Sequence, residues 1–408
     1  MKIFVAGTAI TPFGELWDRS LEDLLRQATA EAVANAELDL SQIEAVFVAN
    51  MAAGALEGQM HLGALVSSWF PQYPPAMRIE GACASGGLAM LAAEQALLSG
   101  KYKTVLVVGG EKLTDVSAAE ASQALAGAAH IQAEYGSTFP GLYALLAQQH
   151  QAAYGTTREQ LSAVSVKNHR HALDNPFAQY HKEFSLEQVS NSAMVASPLR
   201  LLDCSPLTDG ASAVVLTTQQ TIQPSPTILG TGHGMDSLTL AERDSLTSLG
   251  ATKRAAQQAF AQAGVAPVDI EVAEVHDCFT IAELLALEDL GFFEPGVAGE
   301  ATLSGQTTYG GLVVVNPSGG LKASGHPVGA SGVKQVAYLA NLLKEGKFKL
   351  ALAHNVGGSG ATAVVHIMQM ETNQSGTVSF NKNSSSTINK NNSSKSTKKS
   401  SAKSKGKS

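Results

Sequence analysis

Charge is scarce in this chain: only 15% of its 408 residues are Asp, Glu, Lys or Arg, against 44% hydrophobic. Tryptophan occurs twice, cysteine three times, and aromatic residues make up 6%. That balance excludes a solvated, unfolded chain and supports a large core with more than one folding unit. Every apolar run is broken by Gly or a polar residue before it reaches bilayer length, so no membrane-spanning helix is expected. Three cysteines cannot all pair, and they show neither CxxC nor Cys/His spacing, which argues against a disulfide framework and a bound metal. A reducing, cytoplasmic setting follows. The start, Met1-Lys2-Ile3-Phe4-Val5-Ala6-Gly7, reads as a first strand and lacks the pattern of a cleavable leader.

Basic charge is concentrated at one end. Residues 371–408 hold eight lysines and one glutamate, so the net charge of −7 conceals a far more acidic body. This stretch is almost wholly Ser, Asn, Thr, Lys and Gly, with Phe380 its sole aromatic. It cannot bury enough apolar surface to fold and is expected to be disordered. Its charge suits, at most, weak attachment to an acidic partner, nucleic acid or membrane surface; no nucleic acid is required.

Small residues are what the chain has in quantity, with 38 Gly and 14 Pro. In Glu80-Gly81-Ala82-Cys83-Ala84-Ser85-Gly86-Gly87 they give way to an Ala/Leu-rich stretch, Leu88 to Leu98, that reads as a buried helix. Cys83 then lies at a helix start, where unpaired N–H groups favour a thiolate, the nucleophilic form. A lone cysteine is ordinarily a small buried hydrophobe, so this position needs company.

An internal duplication supplies an address for it. Ala32-Val33-Ala34-Asn35-Ala36 recurs 227 residues later as Ala259-Phe260-Ala261-Gln262-Ala263. Ala84-Ser85-Gly86 and Gly100-Lys101-Tyr102-Lys103 recur 246 residues later as Ala330-Ser331-Gly332 and Gly346-Lys347-Phe348-Lys349. Each helix ends near Gly100 or Gly346 and leads into a strand, Thr104–Val108 or Leu350–His354. The reading is two α/β halves, 1–240 and 241–370, related by a pseudo-twofold, each a mostly parallel sheet covered by helices. Residues 115–205 have no counterpart in the second half and are read as an inserted loop domain. Three further segments put reactive side chains at element ends: His276-Asp277-Cys278-Phe279 after a strand, Gly325-His326-Pro327 before a helix, and His354-Asn355-Val356-Gly357-Gly358 in a late hairpin.

Together, CASGG at 83–87, HDCF at 276–279, GHPVGASG at 325–332 and HNVGGSG at 354–360 resemble the thiolase superfamily, in particular the sterol-carrier-protein-type thiolases. The likeness spans residues 1 to about 370 and includes DCSPLTDGASAVV at 203–215. It implies the duplicated thiolase fold, layered α-β-α-β-α, and a CoA-dependent enzyme of lipid metabolism. Such an enzyme joins or cleaves 3-ketoacyl-CoA by Claisen chemistry through an acyl-cysteine. On that resemblance Cys83 is the nucleophile, His326 its base, Cys278 the proton-handling thiol, and His276, with His326, a donor to the enolate oxygen. The N–H of Cys83 and one from the turn with Asn355 and Gly357 form an oxyanion hole, His354 orients a cysteine, and Ser205 lies near pantetheine. No cofactor beyond the CoA thioesters is implied, and dimers or tetramers are expected. Two other readings share the fold: a decarboxylating ketoacyl-synthase-type enzyme, and a thiolase-like subunit that works with a small OB-fold partner.

Overall fold

The computed structural model describes residues 1–219 and 224–370; the lysine-rich segment 371–408 lies outside them. The first half runs β1 (Ile3–Ile10), α1 (Leu21–Asn35), β2 (Ala45–Ala49), α2 (Ala53–Leu56), α3 (Leu62–Ser67), β3 (Ala76–Ile79), α4 (Ser85–Leu98) and β4 (Thr104–Glu111). Next come α5 (Ala118–Ala126), α6 (Phe139–Tyr154), α7 (Arg158–Ala172), α8 (Leu186–Ser190) and the hairpin β5 (Met194–Ala196) and β6 (Leu199–Arg200). The chain then returns to the sheet as β7 (Gly210–Thr217). The second half is β8 (Pro226–Met235), α9 (Gly250–Ala263), β9 (Val272–Glu274), α10 (Thr280–Asp289), α11 (Ala298–Leu303), β10 (Val314–Val315), α12 (Gly320–Ser324), α13 (Val328–Lys344), β11 (Leu350–Gly357) and β12 (Thr362–Met370).

Local chemistry starts and stops these helices where the sequence offers caps. Ser20 caps α1 and forms a reciprocal box with Asp23. Thr138 caps α6, and Gly155 closes it in the left-handed conformation that glycine tolerates.

Ten strands form one ladder in the order β10-β9-β11-β12-β8-β1-β7-β4-β2-β3. Read outward from the β1–β8 pair, the two halves repeat one another strand for strand. The expectation of a mostly parallel sheet is corrected: β2, β3 and β4 pair in parallel, but β7 is antiparallel to both β1 and β4. The same mixture recurs in the second half, where β12 is antiparallel to β11 and β8. The physical reason is the short turn between β11 and β12, which can join only antiparallel neighbours.

Strand alternation builds the layers. Leu106 and Val108 face an outer core with α1, while Val105 and Val107 face a middle core with α4 and α13. Across the middle, Ala351 and Ala353 of β11 close the same core, and Leu352 faces the outer core with α9 and α10. Helix, sheet, helix pair, sheet and helix therefore stack in five layers.

The two middle helices touch through backbone. A side chain added at Gly86 would come within 2.8 Å of Gly332 Cα, and one at Gly332 within 2.5 Å of Gly87 N. The repeated Ala-Ser-Gly triplet marks this crossing. The insert, meanwhile, packs on the second half: Tyr143, Leu146 and Val164 share a core with Leu284 and Leu287 of α10. Its two ends are clasped by Asp209, whose carboxylate accepts from the Leu113 and Thr114 backbone and from Lys112 Nζ.

Overpacking at the crossing should be costly. Gly86→Ala is expected to lower stability by about 1–3 kcal/mol, read as a reduced denaturation midpoint. Gly141→Ala, where the nearest atom lies 3.6 Å away, should leave the midpoint within about 1 kcal/mol of the parent.

Candidate active site

Cys83 sits in a tight 3-10 turn, Ala82–Ala84, immediately before α4. Ser85 ties that turn by accepting from Gly81 N at 3.0 Å and donating to Ala82 O at 2.6 Å. Ala82 adopts φ of 53°, a left-handed conformation held by the surrounding contacts. Half-buried, Cys83 lies against a cavity of about 180 Å³ that Cys278, His326, Tyr143 and Phe279 also line.

The sequence expectation of a resting thiolate is not met. Burial pushes the Cys83 thiol up to about 12; Glu111 and Glu80 add to the rise, and the N–H groups of Gly358 and Cys83 oppose it. A helix start favours the anion only as far as water leaves it exposed, and here desolvation is larger. Deprotonation therefore requires a neighbouring base.

Two imidazoles flank the sulfur: Cys83 Sγ and one ring nitrogen each of His276 and His326 lie within 4.8 Å of one another. Burial holds both rings well below the ordinary histidine range, His326 at about 3, so both are neutral. Their partners then assign the protons. Ser331 Oγ lies 2.7 Å from His326 Nδ1 and donates its own proton to Pro327 O at 3.0 Å. Nδ1 therefore carries hydrogen, and Nε2, which has no partner among the described residues, keeps its lone pair toward the site.

His276 is set the opposite way. Asn355 Oδ1 accepts from Gly87 N at 3.0 Å, which turns its amide Nδ2 toward Cys83 O (3.0 Å) and His276 Nδ1 (3.3 Å). Nδ1 of His276 accepts, so its unpartnered Nε2 bears the hydrogen. One histidine offers a base and the other a donor. The same assignment weighs against a metal on this trio, because His276 Nε2 has no lone pair to give.

Cys278 is buried, and burial and Cys83 push its thiol well up, while the nearby Tyr143 hydroxyl and Phe279 N–H pull the other way. Its carbonyl accepts from Ser205 N at 2.9 Å, so the end of the insert pins the turn that carries it. Ser205 itself lines the cavity. Asp277 points away and accepts from Asn168 and from the backbone of Leu321 and Lys322, anchoring that turn from behind.

Gly357 and its neighbour divide a role. A side chain at Gly357 would lie 2.4 Å from Gly81 O, so its glycine permits β11 to pass the Cys83 turn. The N–H that reaches Cys83 is that of Gly358, which adopts φ of 61°. His354 stands apart: it leaves β11 on the face opposite Asn355 and meets Thr252 of α9 at 2.9 Å. No hydrogen bond joins it to either sulfur. Sequence reasoning passed over Tyr143, Ser331 and Thr208, which donates nothing to the chemistry but receives the His326 N–H at 2.9 Å. Ser331 stood within the repeated triplet, the one signal that pointed to it.

Comparison with known proteins agrees with this architecture. The thiolase N-terminal domain family matches residues 3–220 and the thiolase C-terminal domain-like family residues 232–370. An acetyl-CoA acetyltransferase of Methanothermobacter thermautotrophicus is 43% identical, over 90% of this chain and 98% of its own. Sterol carrier protein 2 of Bos taurus is 32% identical, over 89% of this chain and 71% of its own. The solved Ltp2-ChsH2(DUF35) aldolase shares the fold, with a TM-score of 0.79 at 24% identity over 91% of this chain and 98% of the compared one. The chain belongs to the thiolase family. It is an acyltransferase of the thiolase type, and none of its described helices is long and apolar enough to cross a membrane.

A raised thiol beside neutral imidazoles has a pH signature. Alkylation of Cys83 by iodoacetamide should climb about tenfold per pH unit from pH 6 to 9, because the thiolate fraction rises that steeply below the thiol's pKa. A plateau across this range would reveal a preformed thiolate–imidazolium pair instead.

Proposed function

We propose that this protein catalyses reversible Claisen condensation and thiolytic cleavage of 3-ketoacyl-CoA through an acyl-Cys83 intermediate. The observation that carries the reading is the opposed pair of histidine tautomers around one sulfur, with a second thiol in the same cavity. His326 Nε2 takes the Cys83 proton, and the thiolate attacks the thioester carbonyl. The N–H groups of Gly358 and Cys83, both close to the sulfur, donate to the oxygen as it becomes negative. Cys278 protonates the departing CoA thiolate, then removes a proton from the α-carbon of the second acyl-CoA. Cysteine suits both tasks because its ordinary pKa, about 8.5, lies near that of an alkyl thiol. His276 Nε2–H donates to the enolate oxygen. His354 acts at a distance, by bracing β11 against α9.

CoA enters along the insert, with Ser205 beside the pantetheine arm. The chemistry as written needs no metal or redox cofactor. The cytoplasm is the compartment that suits three unpaired cysteines. A homodimer is the assembly we favour, with a small OB-fold partner as the alternative; light scattering on native material separates them by mass.

Two substitutions test the roles. Cys83→Ala should abolish the mass increase that acetyl-CoA produces on the protein. Cys278→Ala should keep that adduct while condensation and thiolysis fall by about 100-fold or more, the range general acid–base groups supply. CO₂ release from malonyl-CoA without cleavage of acetoacetyl-CoA would replace this reading with the decarboxylating one.

A further inference from the structure

Tyr143 comes from the insert, in the second turn of α6, and is fully buried at the cavity wall. Its ring stacks on Phe279, next to Cys278, with centroids 4.7 Å apart and a tilt of 32°. Its hydroxyl donates to Gly358 O at 3.1 Å, and the ring lines the same cavity as the Cys278 side chain, close enough for each to shift the other's titration. The phenol thus binds the residue whose N–H reaches Cys83 and stands beside the thiol to which proton handling is assigned. It has one hydrogen to give and two acceptors to choose between.

We propose that Tyr143 is a positioning residue whose hydroxyl exchanges partners with the state of Cys278. While Cys278 is a thiol, its S–H faces the phenol oxygen and Tyr143 donates to Gly358 O. When Cys278 gives its proton to the departing CoA thiolate, the Tyr143 O–H turns from Gly358 O to the new Cys278 thiolate. In the next step the substrate Cα–H bond breaks, its proton joins Cys278 Sγ, and the electron pair moves to the thioester oxygen. Tyr143 then returns to Gly358 O. No outside reactant is required, and the phenol keeps its proton throughout.

The surroundings make this hydrogen bond consequential. Cys83 and Asp277 both oppose negative charge on Cys278, and burial opposes it most. The hydroxyl and the Phe279 N–H are the groups that favour it. Arg243 lies near the phenol, but its guanidinium is engaged with Ser359 O at 2.7 Å and Ser237 O at 3.0 Å. Those bonds also hold the Gly358–Ser359 turn in place when the hydroxyl leaves it. A charged donor–acceptor pair in a dry site is the setting in which one hydrogen bond shifts a thiol equilibrium measurably.

The inference rests on the proton-handling role given to Cys278 above, and its test separates the two. Tyr143→Phe keeps the stacked ring and removes only the hydroxyl. This variant should still form the acetyl adduct on Cys83 and melt with the parent. Its condensation rate at neutral pH should fall about tenfold, with the rising limb of the rate–pH profile displaced upward by about one unit, because one pKa unit is a factor of ten in thiolate. In a Cys278→Ala background the same substitution should cost nothing further. Parent-like rates and an unmoved limb in Tyr143→Phe, with Cys278→Ala inactive, would overturn the inference and leave the proposed function standing. Full activity of Cys278→Ala would overturn both. Loss of the adduct together with a lowered melting midpoint would reduce Tyr143 to a packing residue.

Discussion

Everything at this site depends on two helices meeting without side chains between them. Gly86 of α4 and Gly332 of α13 let backbone lie on backbone at the centre of the molecule. Because both glycines lie near their helix starts, Gly86 second in α4 and Gly332 fifth in α13, the crossing brings both N-terminal ends, and the residues that precede them, into one place. Cys83 arrives from one helix start and His326 from the other. Asn355 reaches the same point, since a side chain at Gly332 would fall within 2.3 Å of its Oδ1. A single methyl at either glycine would separate groups that must lie within a few ångströms.

Burial is the second constraint, and it inverts the simple electrostatic picture. A helix start beside a cysteine suggests a standing thiolate, yet desolvation dominates and leaves a thiol between two neutral imidazoles. Charge therefore develops only as reaction proceeds, with donors already aimed at it. Neutral histidines also make tautomers decisive, and those are set one layer out, by Ser331 and Asn355. Glu111 does related work for the scaffold. It accepts from the backbone of Met51, Ala52 and Gly329 and so ties the start of α13 to the loops after β2.

The insert closes the arrangement. It leaves the sheet after β4 in the first half, yet its large core and a set of buried polar anchors lie on the second. Asn168 holds Asp277 and Glu283, Lys167 pairs with Glu283 at 2.9 Å, and Ser205 holds Cys278. Each half thereby contributes to the position of the other's thiol. Asp209 joins the insert's ends, so its two strands of chain leave the sheet from one point.

Much of this was legible in the residues. The repeated Ala-Ser-Gly triplet and the two Gly-Lys-aromatic-Lys turns announced a duplicated α/β fold, because equivalent packing demands equivalent small residues. The segments HDCF, GHP and HN, with CASGG, were enough to gather Cys83, His276, Cys278 and His326. Sheet direction was not legible, since a short β11–β12 turn and a strand returning after a long insert look alike in hydropathy. Nor was the separate station of His354, which follows from strand alternation once β11 extends through Gly357. Sequence alone determined which reactive residues exist and that two similar halves present them, because those facts are local in pattern and spacing. Tertiary structure alone decided which ring nitrogen of each imidazole carries hydrogen, that Cys83 rests as a thiol, and that Tyr143 lines the cavity beside Cys278. Protonation and partnership depend on burial and on contacts between residues far apart in the chain, and no local pattern records them.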